Sequence, residues 1–141
     1  MAPAAPDAAM MAGPEAIACF IETGEAAILA DTFADDGVVI FENFAPFLFA
    51  GPGAVGRWTA AMTEHLAASA ELKHSFGPAR DFAVAGEAAY FSLPTHWRGL
   101  VGERPFSESG GWAFGLVRIG DQWRVKTYAW AVTELALDGD P

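Results

Sequence analysis

The chain is poor in positive charge, in cysteine and in long apolar runs, and each shortage excludes something. Eight Lys and Arg stand against eighteen Asp and Glu, giving a formal net charge of −10 and a pI near 4.5. Such a field repels phosphate backbones and anionic lipid over roughly a Debye length, which argues against nucleic acid or a membrane surface as partner. The one cysteine, Cys19, can form no internal disulfide; it reads as a small buried apolar residue and suits a reducing, cytoplasmic setting. No apolar run is long enough to span a membrane. Residues 1–13, MAPAAPDAAMMAG, lack the basic start and continuous apolar run of a signal peptide and read as a disordered tail. Three scattered histidines complete no metal-ligand spacing around Asp35 and Asp36, which read as helix-end and turn residues; neither a metal nor a cofactor is expected.

What the chain does have is apolar material, 52% of its 141 residues, enough for one compact domain over 14–134 with a short tail at 135–141. The densest stretch is Ser107 to Glu134. Two runs rich in aromatic and β-branched residues flank Gly120-Asp121, a two-residue connection with glycine first, which signals a type II′ hairpin. With Ile119 opposite Gln122, strict alternation puts Trp112, Phe114, Leu116, Trp123, Val125, Thr127 and Ala129 on a core face. Tyr128 and Trp130 then fall on the opposite face, where a pocket or a partner subunit must cover them. A one-residue bulge would exchange parts of these faces.

Taken in order, Pro14 to Gly24 reads as a short helix with Ile17, Phe20 and Ile21 on one stripe, followed by a second helix from Glu25 to about Ala34. Gly37 to Ala50 reads as two strand pieces broken at Pro46, and a third helix runs from about Ala54 to Ala68. Lys73 to Ala85 and Glu87 to Arg98 read as strands around a tight turn, and Gly99 to Pro105 as a loop. Helices gathered early and antiparallel strands late describe an α+β domain. Gly51, Gly53 and Gly56 spell GxGxxG, yet no parallel strand follows that helix, so the glycines read as a tight strand-to-helix turn and not as a dinucleotide fingerprint.

This order resembles the nuclear transport factor 2-like superfamily, in its SnoaL-like branches: polyketide cyclases, scytalone dehydratases and ketosteroid isomerase-like proteins. The matching strings are Thr23-Gly24-Glu25, Phe33-Ala34-Asp35-Asp36, Ala50 to Val55, Val84 to Ala89 and Arg118 to Val125. The resemblance implies a cone-shaped, curved, mostly antiparallel sheet wrapped around three helices, open at its wide end to a pocket. It also implies a homodimer through the outer sheet face, which would cover Tyr128 and Trp130. The ketosteroid isomerase pattern is not kept: its tyrosine falls at Ile17, its second acidic donor near Gly115, and its base at Phe41, or at Glu42 only if the strand slips by one. The branch with pocket histidines fits better, with His74 and His96 at the corresponding strands.

The candidate catalytic residues are therefore His74 and His96, with Asp31 as an inferred carboxylate partner; a histidine beside a carboxylate suits proton abstraction or loss of water. A plain register count puts the two histidines on opposite faces, and a hydrogen-bonded wall role stands beside the catalytic one. His65 reads as surface or rim. The expected pocket lining is Phe41, Asn43, Trp58, Phe76, Tyr90, Trp97, Trp112, Phe114 and Thr127, which calls for an apolar or aromatic small molecule. Two functions follow: cofactor-independent acid-base chemistry of the isomerase, dehydratase or cyclase type on a lipophilic substrate, or a non-catalytic ligand-binding or dimeric interaction module.

Overall fold

The computed structural model describes residues 5–137. Its elements are α1 (Ala8–Thr23), a 3-10 turn (Ala26–Leu29), β1 (Val39–Phe41), β2 (Leu48–Phe49), α2 (Ala54–His65), β3 (Ser69–Phe76), β4 (Arg80–Ala85), β5 (Ala88–Val101), β6 (Arg104–Ile119) and β7 (Gln122–Leu137). One seven-stranded sheet has the order β2-β1-β7-β6-β5-β3, with β4 also paired to β5. Every pairing is antiparallel except β1 with β7, which makes the domain α+β with a mixed, mostly antiparallel sheet.

Five expectations change. The helix expected from Pro14 begins six residues earlier, where Asp7 Oδ1 accepts from Met10 N at 2.9 Å, so Ala8 to Gly13 are not a tail. Met10, Gly13 and Pro14 are buried, and a Cβ on Gly13 would lie 2.8 Å from Val125 Cγ2; packing on β7 outweighs the cost of a proline inside the helix. The second helix is only one 3-10 turn. Past it the sheet claims the backbone: Ala34 N donates to Val125 O at 2.9 Å and Val125 N to Thr32 O at 2.8 Å. Lys73 to Ala85 is two strands, both paired to the long β5, with Gly77 N donating to Pro94 O at the break. The loop expected over Gly99 to Pro105 is a hairpin turning at Gly102-Glu103, whose φ values of 56° and 71° suit a type I′ turn. At the other end β7 runs to Leu137, so Leu135 to Leu137 are strand; residues 1–4 and 138–141 lie outside the described residues.

Ile119 pairs with Gln122 as expected, and Gly120 has φ 62°. The register then shifts twice along β6–β7. Gly115 pairs with Thr127 but Leu116 with Val125, leaving Lys126 as the extra residue of a bulge, and Thr133 is skipped likewise between Gly110 and Ser109. The first bulge exchanges the faces: Phe114 stands opposite Tyr128 and Trp112 opposite Trp130, all four directed to the helices, while Thr127 and Ala129 turn outward. Tyr128 is 1% exposed and Trp130 is packed against the core, so neither is the outer-face residue that strict alternation made it. The core is a continuous aromatic stack in which Trp58 of α2 meets Phe20, Phe33 and Tyr128 at ring-centroid distances of 5.4, 5.6 and 5.9 Å.

The bulged strand passes close to β6 at one glycine. A Cβ on Gly110 would stand 2.4 Å from Ala131 O and 2.7 Å from Trp130 Cη2, whereas one on Gly56 of α2 would meet nothing within 4 Å. Gly110→Ala should therefore lower the urea-unfolding free energy by about 2 kcal/mol or more, and Gly56→Ala should leave it unchanged or raise it by up to about 1 kcal/mol. Equal effects of the two substitutions would contradict this packing.

Candidate functional site

Between the inner sheet face and α2 lies a cavity of about 320 Å³. Most of its wall is apolar: Ile21 from α1, Met62 and Leu66 around the end of α2, Leu72 from β3, and Trp97, Phe106, Trp112, Trp130, Leu135 and Leu137 from β5, β6 and β7. The polar side chains reaching it are Glu42, Asn43, His65, Ser69 and Glu108.

Glu42 is the chemically distinctive one. Along β1 the side chains alternate, with Ile40 buried, Phe41 50% exposed on the outer face, and Glu42 turned inward at 7% exposed. The Trp58 indole donates to Glu42 Oε2 at 2.9 Å and the Tyr128 hydroxyl donates to the same oxygen; among the described residues Oε1 accepts no hydrogen bond. Burial raises the Glu42 carboxyl to about 7, against the lowering effect of its two donors, and the nearby Glu108 charge adds to the rise. Tyr128 is held well above the ordinary phenol range, first by burial and then by the charge of Glu42, so it stays a donor. Glu108, on β6, accepts from Trp130 Nε1 at 3.0 Å and is also raised by burial. His65 stacks on Phe44 at 4.1 Å, at the rim as expected, and burial lowers its pKa. Trp112 Nε1 is buried without a hydrogen-bond partner and the ring stands edge-on to Tyr128 and Trp130.

The expected catalytic residues are not brought together. His74 is on the inner face, but its Nδ1 lies 2.9 Å from Glu22 Oε2 on α1, the same oxygen also takes the His74 backbone N–H at 2.7 Å, and the ring packs on Phe76 and Trp97. It does not line the cavity. His96 faces the other way, toward Ser109 Oγ at 2.8 Å, as the register count implied. Asp31 is exposed at φ 61° and pairs with Arg124 at 3.4 Å. Of the expected lining, Asn43, Trp97 and Trp112 reach the cavity; Trp58 stands behind Glu42, Phe76 and Phe114 are wall and core, and Phe41, Tyr90 and Thr127 lie on the outer face. In the sequence Glu42 stood out only through a one-residue slip of the strand; in the structure Ile40 pairs with Tyr128, Phe41 points outward and Glu42 turns inward. Glu108 had no signal in the sequence.

Similar proteins can now be set beside this geometry. The backbone superposes on a type 2 hexachlorocyclohexane dehydrochlorinase (LinA) with a TM-score of 0.79 at 11% identity, over 95% of this chain and 89% of that one. It superposes on the Kfla4162 protein of Kribbella flavida with a TM-score of 0.77 at 13% identity, over 92% and 91%. A nuclear transport factor 2-like superfamily protein of Salmonella enterica serovar Typhimurium gives 0.70 at 12% identity, over 92% of both chains. The chain has the nuclear transport factor 2-like fold. No family model and no curated protein matches the sequence. At these identities the nuclear transport factor 2-like likeness concerns the backbone, and the site must be argued from its own residues. No helix among the described residues is long and apolar enough to cross a membrane, and no three His, Cys, Asp or Glu side chains among them gather to hold a metal ion.

The raised Glu42 carboxyl has a consequence for stability. Its folded pKa of about 7 exceeds the ordinary value of 4.5, so the folded chain binds the proton more tightly and the stabilisation is complete only below about pH 4.5. Stability should fall as pH rises from 5 to 8, by on the order of 3 kcal/mol from this group. Urea titrations across that range should show the slope in the wild type and a flatter profile in Glu42→Gln; a parallel pair of profiles would remove Glu42 as its source.

Proposed function

We propose that this chain is a cofactor-independent enzyme that binds a lipophilic small molecule in the cavity and moves a proton on it, with Glu42 as the base. The observation that carries this reading is the state of Glu42: a carboxyl buried in an apolar cavity, raised to about 7, fixed through Oε2 by Trp58 and Tyr128, with Oε1 unclaimed. A base of this strength is poised at neutral pH, and desolvation increases its pull on a carbon-bound or hydroxyl proton. The two donors hold the carboxylate in one orientation, so no reorganisation is needed when the proton transfers. Reactions within reach are isomerisation, where the proton returns at another atom, and elimination, where a leaving group departs as the proton is taken. The structural likeness to a dehydrochlorinase of hexachlorocyclohexane agrees with the second. His74 is tied to Glu22 and keeps a role in holding β3 to α1.

Deuterium exchange read by NMR tests the reading directly, using a panel of apolar ketones with and without an amino group in heavy water. The wild type should exchange the activated hydrogens at a rate that rises with pH through about 7 and then levels, because only the deprotonated Glu42 accepts. Glu42→Gln should slow exchange by about 100-fold or more, and His96→Ala should not change it. Binding without exchange by the wild type would instead favour a non-catalytic ligand-binding module.

A dimer through the outer sheet face is part of the same reading, with different residues from those the sequence suggested. Phe41 and Tyr90, 50% and 52% exposed, flank a shallow concavity floored by Ala113, Gly115, Thr127 and Ala129, with Asp81 as its one charged lining residue among the described residues. Two exposed rings beside small residues are poorly solvated and suit a second copy of the same face. Sedimentation at micromolar concentration should give about twice 14.9 kDa. Tyr90→Glu should return the monomer mass, and a monomeric wild type would end the dimer. Cys19 is free and partly buried, which agrees with a cytoplasmic protein.

A further inference from the structure

The cavity contains two carboxyl groups and no fixed cation. Glu42 and Glu108 both line it, each anchored by an indole N–H, from Trp58 and Trp130 at 2.9 and 3.0 Å. No Lys or Arg is among the described lining residues, and burial holds the one other ionisable side chain, His65, below its usual pKa and so neutral near pH 7. Four of the chain's cations are engaged away from the cavity lining: Arg124 with Asp31 and Asp35, Lys126 with Asp36, Arg118 with Glu87, and Arg57 with the carbonyl oxygens of Ala50 and Pro52. A carboxylate withdrawn from water without a counter-ion is costly, and the Glu108 charge further disfavours that of the buried Glu42. The fold thus provides half of an ion pair inside an apolar cavity.

The remaining walls suit the missing half. Trp97, Trp112 and Trp130 line the same cavity as Glu108, which stands opposite Trp97 in the β5–β6 ladder and accepts from Trp130, and indole faces attract organic cations where water is scarce. An anion would meet both carboxyls and the net charge of −10. A neutral ligand would leave both carboxyls in the cavity without a counter-ion. Of the two, Glu108 is the better cation acceptor, since it is only partly buried and takes a single donor, whereas Glu42 Oε2 already takes two. Resting on the cavity reading above, we infer that the ligand is a lipophilic amine bound as its ammonium ion, with Glu108 as the positioning carboxylate, the three indoles around the cation, and Glu42 left to act on the body of the molecule.

Calorimetric titration of the full chain at pH 7 with three matched probes, 2-phenylethylamine, 2-phenylethanol and 3-phenylpropanoate, tests this. The amine should bind at least tenfold more tightly than the alcohol, and the carboxylate more weakly than either. Glu108→Gln should bring the amine down to the alcohol's affinity while leaving the alcohol unchanged, which also shows that the variant is folded. An alcohol that binds as tightly as the amine would overturn the amine class and leave the cavity reading in place. Amine preference that survives Glu108→Gln would overturn the role of Glu108. Failure of all three probes to bind would remove the cavity reading together with the inference.

Discussion

The arrangement depends on one buried carboxylate held by two aromatic donors. Glu42 comes from the end of β1, Trp58 from α2 and Tyr128 from β7, so the contact ties the two-stranded edge, the second helix and the centre of the sheet together. Burying a carboxylate is unfavourable unless its oxygens are bonded, and here one oxygen is satisfied twice while the other is left to the cavity. That asymmetry fixes the group's position and keeps it basic. It also means that the folded chain is least stabilised by this group near and above neutral pH, where the buried carboxyl ionises.

The sheet makes this possible through its irregularities. The bulge at Lys126 brings Tyr128 and Trp130 to the inner face, and the skipped Thr133 lets β7 continue beyond Trp130 to Leu135 and Leu137, which close part of the cavity wall. Opposite them, Gly110 admits the close approach of Trp130 and Ala131. A regular ribbon would have placed Thr127 and Ala129 against α2 and left two large rings in water. The same exchange leaves the outer face with small residues between Phe41 and Tyr90, so the cavity and the flat outer concavity are two results of one local register shift.

Charge is distributed with a matching logic. Arg124 and Lys126 are spent on holding turns, gathering Asp31, Asp35 and Asp36, and the His74 ring meets Glu22, which ties α1 to β3. The aspartates of the Arg124 and Lys126 pairs are exposed, so each of those pairs contributes little to stability by itself. These contacts give Asp31, Asp35 and Asp36 cationic partners, and they place a histidine beside a carboxylate away from the cavity lining. Two of the ionisable groups that do face the cavity, Glu42 and Glu108, are acids in an apolar, indole-rich surrounding, where burial raises their proton affinity.

Local pattern was enough for most of the elements. The hairpin at Gly120-Asp121, the helix with Ile17 and Phe20 on one stripe, the α2 stripe of Trp58 and Met62, and the sequence of early helices and late strands follow from periodicity and turn chemistry, and so does the α+β class. Helix starts and the second helix were less legible, because packing of Met10 and Gly13 on β7 and the bridging of Phe33 to Val125 are non-local. The site was least legible. An extra residue in a strand has no periodic signature, so the inward turn of Tyr128 and Trp130 was open until β6 and β7 were paired. The choice between Phe41 and Glu42 likewise waited on the parallel pairing of β1 with β7. What the amino acids decided alone was which segments are greasy and how the chain turns; what only tertiary structure decided was which carboxylates share a cavity, because a side chain's facing in a sheet is set by its neighbour strand and not by its own sequence.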